Sequence, residues 1–145
     1  MNLSLPSSLS VKDGHLFCGG ADCVELAEKF GTPLYVTDEL HIVENFRRYE
    51  AALKQYTDKV QLLYAAKANE NPVIMQTLAA EGAGADVFSL GEMQAALDSG
   101  MPAEKLLFNG SSKTEAALRT AIEKGIKISV DSVDELRQID LITRE

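Results

Sequence analysis

Several things are scarce in this chain, and each scarcity removes a class of function. Basic residues are outnumbered: 14 Lys and Arg stand against 22 Asp and Glu, a formal net charge of -8. A nucleic-acid binder needs a basic face for its phosphate contacts, so no nucleic-acid partner is expected. No apolar run approaches the roughly 18 residues of a membrane span. The opening "MNLSLPSSLS" has neither the basic n-region nor the long apolar h-region of a signal peptide. A cytoplasmic protein with no membrane partner is the resulting expectation. Only two cysteines occur, Cys18 and Cys23 in "HLFCGGADC", with His15 nearby. A zinc site would want C-x2-C pairs and a second ligand pair, so no metal is expected, and the two read as small apolar residues beside a Gly-Gly turn.

What is present is globular: 46% hydrophobic and 25% charged residues over 145 positions, enough for one domain with a core. From Gly31 onward the chain repeats a short apolar strand, a turn and an amphipathic helix. The strands expected are "PLYVT" (33–37), "QLLYAAKA" (61–68), "ADVFS" (85–89), "LLFNG" (106–110) and "IKISVD" (126–131). Between them, apolar residues recur at helical spacing: Leu40, Val43, Phe46 and Leu53; Ile74, Leu78 and Ala79; Ala96 and Leu97; Leu118, Ala121 and Ile122; Leu136 and Ile139. Gly82, Gly100 and Gly125 fall where helices should end in a left-handed residue. Asn71-Pro72 suits a helix start, and Ser89–Glu92, Ser112–Glu115 and Ser132–Glu135 have the spacing of capping boxes. Such a series indicates parallel βαβ units.

Residues 1–30 differ, with a hairpin expected around Asp13-Gly14 and a short helix in "DCVELAEKF". Four or five parallel strands could close as a doubly wound domain. The last helix, "SVDELRQIDLITRE", instead runs out with no glycine, proline or return strand, which suggests part of something longer.

Lys67 is the residue that asks for a reason. Strand alternation puts Leu63, Ala65 and Lys67 on one face, with Leu62, Tyr64, Ala66 and Ala68 on the other, so Tyr64 reads as core. The lysine then stands beside a small residue at a strand's C-terminal end, where α/β folds and barrels place their sites. Capped helix starts at Asn71, Ser89, Ser112 and Ser132 would open on the same side as potential anion sites. Desolvation disfavours an ammonium and leaves an amine free to attack a carbonyl, as a Schiff base requires. The plain alternative is a lysine whose stem packs while its head reaches water.

The wider context adds a resemblance. "GTPLYVTDE", "YAAKAN", "GAGADVFSLGEM" and "LLFNGSSKTEAAL" occur in order, preceded by "DGHLFCGG". Together they resemble the N-terminal third of the diaminopimelate decarboxylases, within the fold-type III pyridoxal-phosphate amino-acid decarboxylase family. "AKAN" followed by "ENP" departs from alanine racemases, and ornithine decarboxylases tend to have cysteine where Ala68 stands.

By that resemblance the fold is α/β, a partial (β/α)8 barrel of the alanine-racemase type with about four barrel strands. Residues 1–37 would belong to a separate β-domain and its crossover, and residues 38–145 to the first half of the pyridoxal-phosphate barrel. Val87, and Ile128 or its neighbours, are expected to join Leu63 and Ala65 on the inward face. The cofactor implied is pyridoxal 5'-phosphate, held as an internal aldimine on Lys67, which would remove the charge of a buried lysine.

Asp86 is implied near the cofactor, although a strand-end acid bonding the next turn explains it too. Asn109, with Ser111, lines the site or simply makes a turn, and capping accounts for Ser89 and Glu92. The reaction implied is decarboxylation of meso-2,6-diaminopimelate to L-lysine and carbon dioxide, in a homodimer acting on a small amino-acid substrate. The family's phosphate-cradling Gly-rich loop, pyridine-pairing glutamate, ring-stacking histidine and partner cysteine are not in this stretch, and His15 and His41 lie in the wrong context to replace that histidine. The alternatives are another fold-type III decarboxylase (ornithine, arginine or carboxynorspermidine type) or a stand-alone, non-catalytic α/β module whose lysine is structural.

Overall fold

Asp13 and Gly14 both take positive φ, 51° and 83°, the pairing that matches a two-residue turn to the right-handed twist of its strands. They join β1 (Leu9–Lys12) to β2 (His15–Cys18) in an antiparallel hairpin, with Lys12 opposite His15. The computed structural model describes residues 5–145, so the first four positions of the N-terminal segment lie outside the described residues. Contacts separate two units, Met1–Tyr49 and Glu50–Glu145.

In the first unit, Gly19 and Gly20 turn the chain into β3 (Ala21–Asp22), which pairs with β2. Asp22 then starts α1 (Cys23–Phe30): its Oδ1 accepts from the Val24 and Glu25 N–H groups at 2.8 and 3.4 Å. Its Oδ2 meets His15 Nδ1 at 2.7 Å, which ties the helix start to the hairpin. Burial pushes the Cys18 thiol up, with the Asp38 carboxylate and Cys23 adding to it. The strand expected over 33–37 is not formed. The segment joins no ladder among the described residues, and Tyr35 is 99% exposed. An extended sequence becomes a strand only when another chain segment meets its N–H and C=O groups. Asp38 caps α2 (Glu39–Lys54), within which the boundary between the units falls. α2 buries no residue, and Leu40 and Leu53 of its apolar stripe are exposed.

The second unit is the βα series. Strands β4 (Leu63–Ala65), β5 (Gly84–Val87), β6 (Leu106–Phe108) and β7 (Lys127–Ile128) form one parallel sheet in that order. Helices α3 (Pro72–Ala80), α4 (Leu90–Asp98), α5 (Glu115–Glu123) and α6 (Val133–Thr143) follow them. Each strand lies beside its predecessor and the order never reverses, so there is no switch point of the doubly wound kind. Sequential parallel βα units of this sort build an arc of barrel wall.

Register decides the two faces. Tyr64, Ala85 and Leu106 align, as do Val87, Phe108 and Ile128. On this side Ala85, Val87, Leu106 and Phe108 are at most 1% exposed, packed with Met75, Leu78, Met93, Ala96, Leu118 and Ala121 from the helices. The opposite face carries Leu63 with Gly84, and Ala65 with Asp86, Leu107 and Lys127. Val87 and Ile128 therefore belong to the helix-covered side; Val87 is not beside Leu63 and Ala65 as expected, and on the last strand it is the neighbour Lys127, not Ile128, that shares their face. Parallel partners share a face, and Leu63 pairs with Gly84, one residue off the assumed alignment. Gly84 has its own reason: a Cβ there would lie 1.8 Å from the Lys105 carbonyl oxygen.

The helix ends agree with the local signals. Gly82, Gly100 and Gly125 take φ of 91°, 89° and 68°. In each case the glycine N–H reaches back to Ala79, Leu97 or Ile122, and the next residue's N–H to Leu78, Ala96 or Ala121. These are Schellman motifs with a buried apolar residue, Ala83, Met101 or Ile126, just beyond the glycine. At the starts, Asn71 Oδ1 accepts from Val73 N–H at 3.0 Å. Ser89 Oγ accepts from Glu92 N–H at 3.1 Å while Glu92 Oε2 accepts from Phe88 N–H at 2.8 Å.

Two expected boxes differ. Ser112 lies at φ 60° and Thr114 caps α5 instead, its Oγ1 accepting from Ala117 N–H, because the chain makes one more turn before the helix. Ser132 caps α6, but the Glu135 side chain turns away to Lys113. Leu136, expected on a buried stripe, is 54% exposed.

Candidate active site

Parallel strands deliver their C-terminal ends to one side of the sheet, so the residues after β4, β5, β6 and β7 gather there. They are Lys67, Phe88, Asn109 with Gly110, and Ser129. The starts of α3, α4, α5 and α6, capped by Asn71, Ser89, Thr114 and Ser132, open on that side with N–H groups suited to an anion.

Lys67 is not on the strand. β4 ends at Ala65 and a single 3-10 turn, Ala66–Ala68, follows, closed by Asn69 N–H donating to the Ala66 carbonyl at 3.1 Å. The turn is pinned from below: Tyr64 Oη donates to the Asn69 carbonyl at 3.0 Å, and burial pushes this phenol up. Asn69 Oδ1 in turn accepts from Asn71 N–H at 3.0 Å. Strand alternation stops at Ala65, and so Lys67 is exposed rather than buried as expected. Its ammonium is met by an aromatic face: Nζ lies 4.3 Å from the centroid of the Phe88 ring.

Asp86 lies on β5 in register with Ala65 and Leu107, on the face opposite Ala85 and Val87. Its Oδ1 is buried with no hydrogen-bond partner. The turn after β5 is instead served by Ser89 and Glu92. An orphaned carboxylate oxygen is costly, and its natural complement is a donor brought by something that binds. Asn109 is half-buried, and its Oδ1 accepts from Gly110 N–H at 2.8 Å, which is turn-making. Ser111 is exposed.

The geometry thus brings Lys67 onto Phe88, sets Asp86 on the neighbouring strand, and commits the Asn109 oxygen locally. Phe88 escaped sequence reading, because an aromatic after a strand usually packs in the core. Lys113 and Glu135 escaped as well. Lys113, whose side chain is 0% exposed, donates to the Gly110 and Ser129 carbonyls at 2.5 and 2.8 Å and to both Glu135 oxygens at 2.9 and 3.2 Å.

An accessible primary amine and a donor-seeking carboxylate oxygen at one sheet end suit a ligand of definite type. It has a carbonyl for the amine and, once joined to it, a nitrogen that can carry a proton towards the carboxylate. Pyridoxal phosphate meets both requirements, so the residues present fit it. Over residues 39–145 the chain matches the model of the "Pyridoxal-dependent decarboxylase, pyridoxal binding domain" family. The chain belongs to this pyridoxal-dependent decarboxylase family.

Within the family it is 42% identical over 132 residues to diaminopimelate decarboxylase of Methanothermobacter thermautotrophicus, covering 91% of this chain and 31% of that protein. It is 43% identical over 143 residues to the Methanocaldococcus jannaschii enzyme, covering 95% and 33%. The crystal structure of the latter with L-lysine superposes with a TM-score of 0.91 at 42% identity, over 95% of this chain and 33% of that one. The chain thus spans about a third of the length of the curated relatives it matches. Solved structures of this kind bear out an α/β chain containing part of a pyridoxal-phosphate barrel and an N-terminal β segment. No helix among the described residues is long and apolar enough to cross a membrane.

Proposed function

We propose that the protein decarboxylates meso-2,6-diaminopimelate to L-lysine and carbon dioxide, with pyridoxal 5'-phosphate attached through Lys67. The observation that carries this is the Lys67 amine, raised on its own turn at the strand ends, with the orphaned Asp86 oxygen on the adjacent strand. The substrate is drawn from the relatives, which are diaminopimelate decarboxylases at about 40% identity. When bound, the cofactor supplies an electron sink for the electrons left behind as carbon dioxide departs.

The chain's own residues do the rest. Lys67 gives up a proton and provides the nitrogen that anchors the cofactor. Asp86 accepts a hydrogen bond at Oδ1 and so favours a protonated nitrogen nearby. Asn109 lines the cofactor pocket from the end of β6. In the same proposal residues 1–37 belong to a β-domain and its crossover and residues 38–145 to the barrel, and the enzyme works as a cytoplasmic homodimer.

The test is chemical. Borohydride reduction of the full-length protein loaded with pyridoxal phosphate should leave a pyridoxyl group on the Lys67 peptide. Lys67→Ala and Lys67→Arg should both abolish it, together with carbon dioxide release from meso-diaminopimelate. A pyridoxyl group on Lys54, Lys105 or Lys113, or faster turnover of ornithine or arginine, overturns the proposal.

A further inference from the structure

Three observations converge on Phe88. The Lys67 Nζ sits 4.3 Å from its ring centroid, inside the ~6 Å at which a cation feels an aromatic quadrupole. The ring is backed by Gly110, where a Cβ would come within 2.6 Å of Phe88 Cδ1. Gly110 holds φ 91° while its carbonyl accepts from the buried Lys113 ammonium at 2.5 Å. The Phe88 backbone is fixed as well, its N–H donating to Glu92 Oε2 at 2.8 Å. The ring thus lies against Gly110, on a backbone held by Glu92.

We infer that Phe88 is a positioning residue: its ring face is the resting platform of the Lys67 ammonium, backed by Gly110 and through it by Lys113. This rests on the reading of Lys67 as the cofactor-anchoring amine. Attack on a carbonyl needs the neutral amine. Lys67 loses one proton, its nitrogen bonds to the carbonyl carbon, and the carbonyl oxygen leaves as water. The ring face attracts the ammonium and has little hold on the neutral amine. It keeps the nitrogen at the strand ends while unreacted and releases it on deprotonation.

The test has two arms on the full-length protein. In the first, the cofactor-free protein is labelled at one fixed pH with a limiting amount of acetic anhydride, and Lys67 is compared with exposed Lys124 by peptide mass spectrometry. Losing the ring face in Phe88→Leu should raise Lys67 labelling between about two- and fivefold, the size of an exposed to partly exposed cation–π contact. Phe88→Tyr, which keeps the ring face, should label like the parent. If Phe88→Leu fails to fold, pentafluorophenylalanine at position 88 keeps the shape and inverts the quadrupole, and it should raise labelling likewise.

The second arm is borohydride trapping of the parent protein. Equal Lys67 labelling in parent and ring-altered proteins, with the pyridoxyl group still on Lys67, overturns the platform and leaves the functional reading intact. A pyridoxyl group on another lysine overturns the functional reading, and the inference with it.

Discussion

Replacing Lys113 by methionine should be among the most destabilising single changes in the chain. Its side chain is 0% exposed and its ammonium holds four oxygens: both of Glu135 and the carbonyls of Gly110 and Ser129. Methionine fills most of the volume, so little is lost from packing. What remains is the Glu135 carboxylate, 8% exposed, and two carbonyls without their donor. Breaking a buried pair by removing one partner costs about 3–5 kcal/mol, mostly from the stranded charge. Glu135→Leu should cost less, about 2–3 kcal/mol, because Lys113 keeps two carbonyl acceptors. The double variant strands no charge and should lose less than Lys113→Met alone. Guanidinium melts of the full-length protein, fitted with a common slope, give all three numbers. A Lys113→Met loss below about 0.5 kcal/mol, or strictly additive losses, would show that the pair is not a desolvated clamp.

Ser89→Ala removes the hydroxyl that caps α4 and should cost about 1 kcal/mol in a melt with turnover little changed, whereas Asp86→Asn should barely move the melt and greatly reduce turnover. Equal stability losses with turnover intact in both variants would return Asp86 to a structural role. The Asp22 carboxyl is held below the usual carboxylate range, chiefly by His15 and then by the N–H groups it caps. A depressed folded value adds stability above the unfolded value near ~3.9, and that stability disappears as pH falls through the folded value. The protection factors of the α1 amides, each taken relative to its intrinsic exchange rate at the same pH, should thus fall on acidification below about pH 4, and Asp22→Asn, which still caps, should flatten that response. Matching acid profiles for the two proteins would refute the link.

Sequence by itself determined whatever is settled within a few residues. Asp13-Gly14 specified the hairpin turn, Gly82, Gly100 and Gly125 ended their helices, and Ser89 with Glu92 closed a capping box, since each acts on backbone groups at most a turn away. The repeating βα order was equally legible, and so was the place of Asp86 on its strand, because periodicity and punctuation are properties of short windows. Tertiary structure decided the rest. Register put Val87 and Ile128 on the helix side, since which face a residue joins depends on its partner strand. Residues 33–37 have a strand's sequence but no ladder among the described residues, because pairing needs a second segment. Lys67 left the strand for a 3-10 turn and lies on Phe88, 21 positions along. Lys113 found Glu135 22 residues away in preference to the local capping bond the spacing offered Glu135. A buried ammonium takes the strongest acceptor the fold brings within reach, and distance along the chain has no part in that choice.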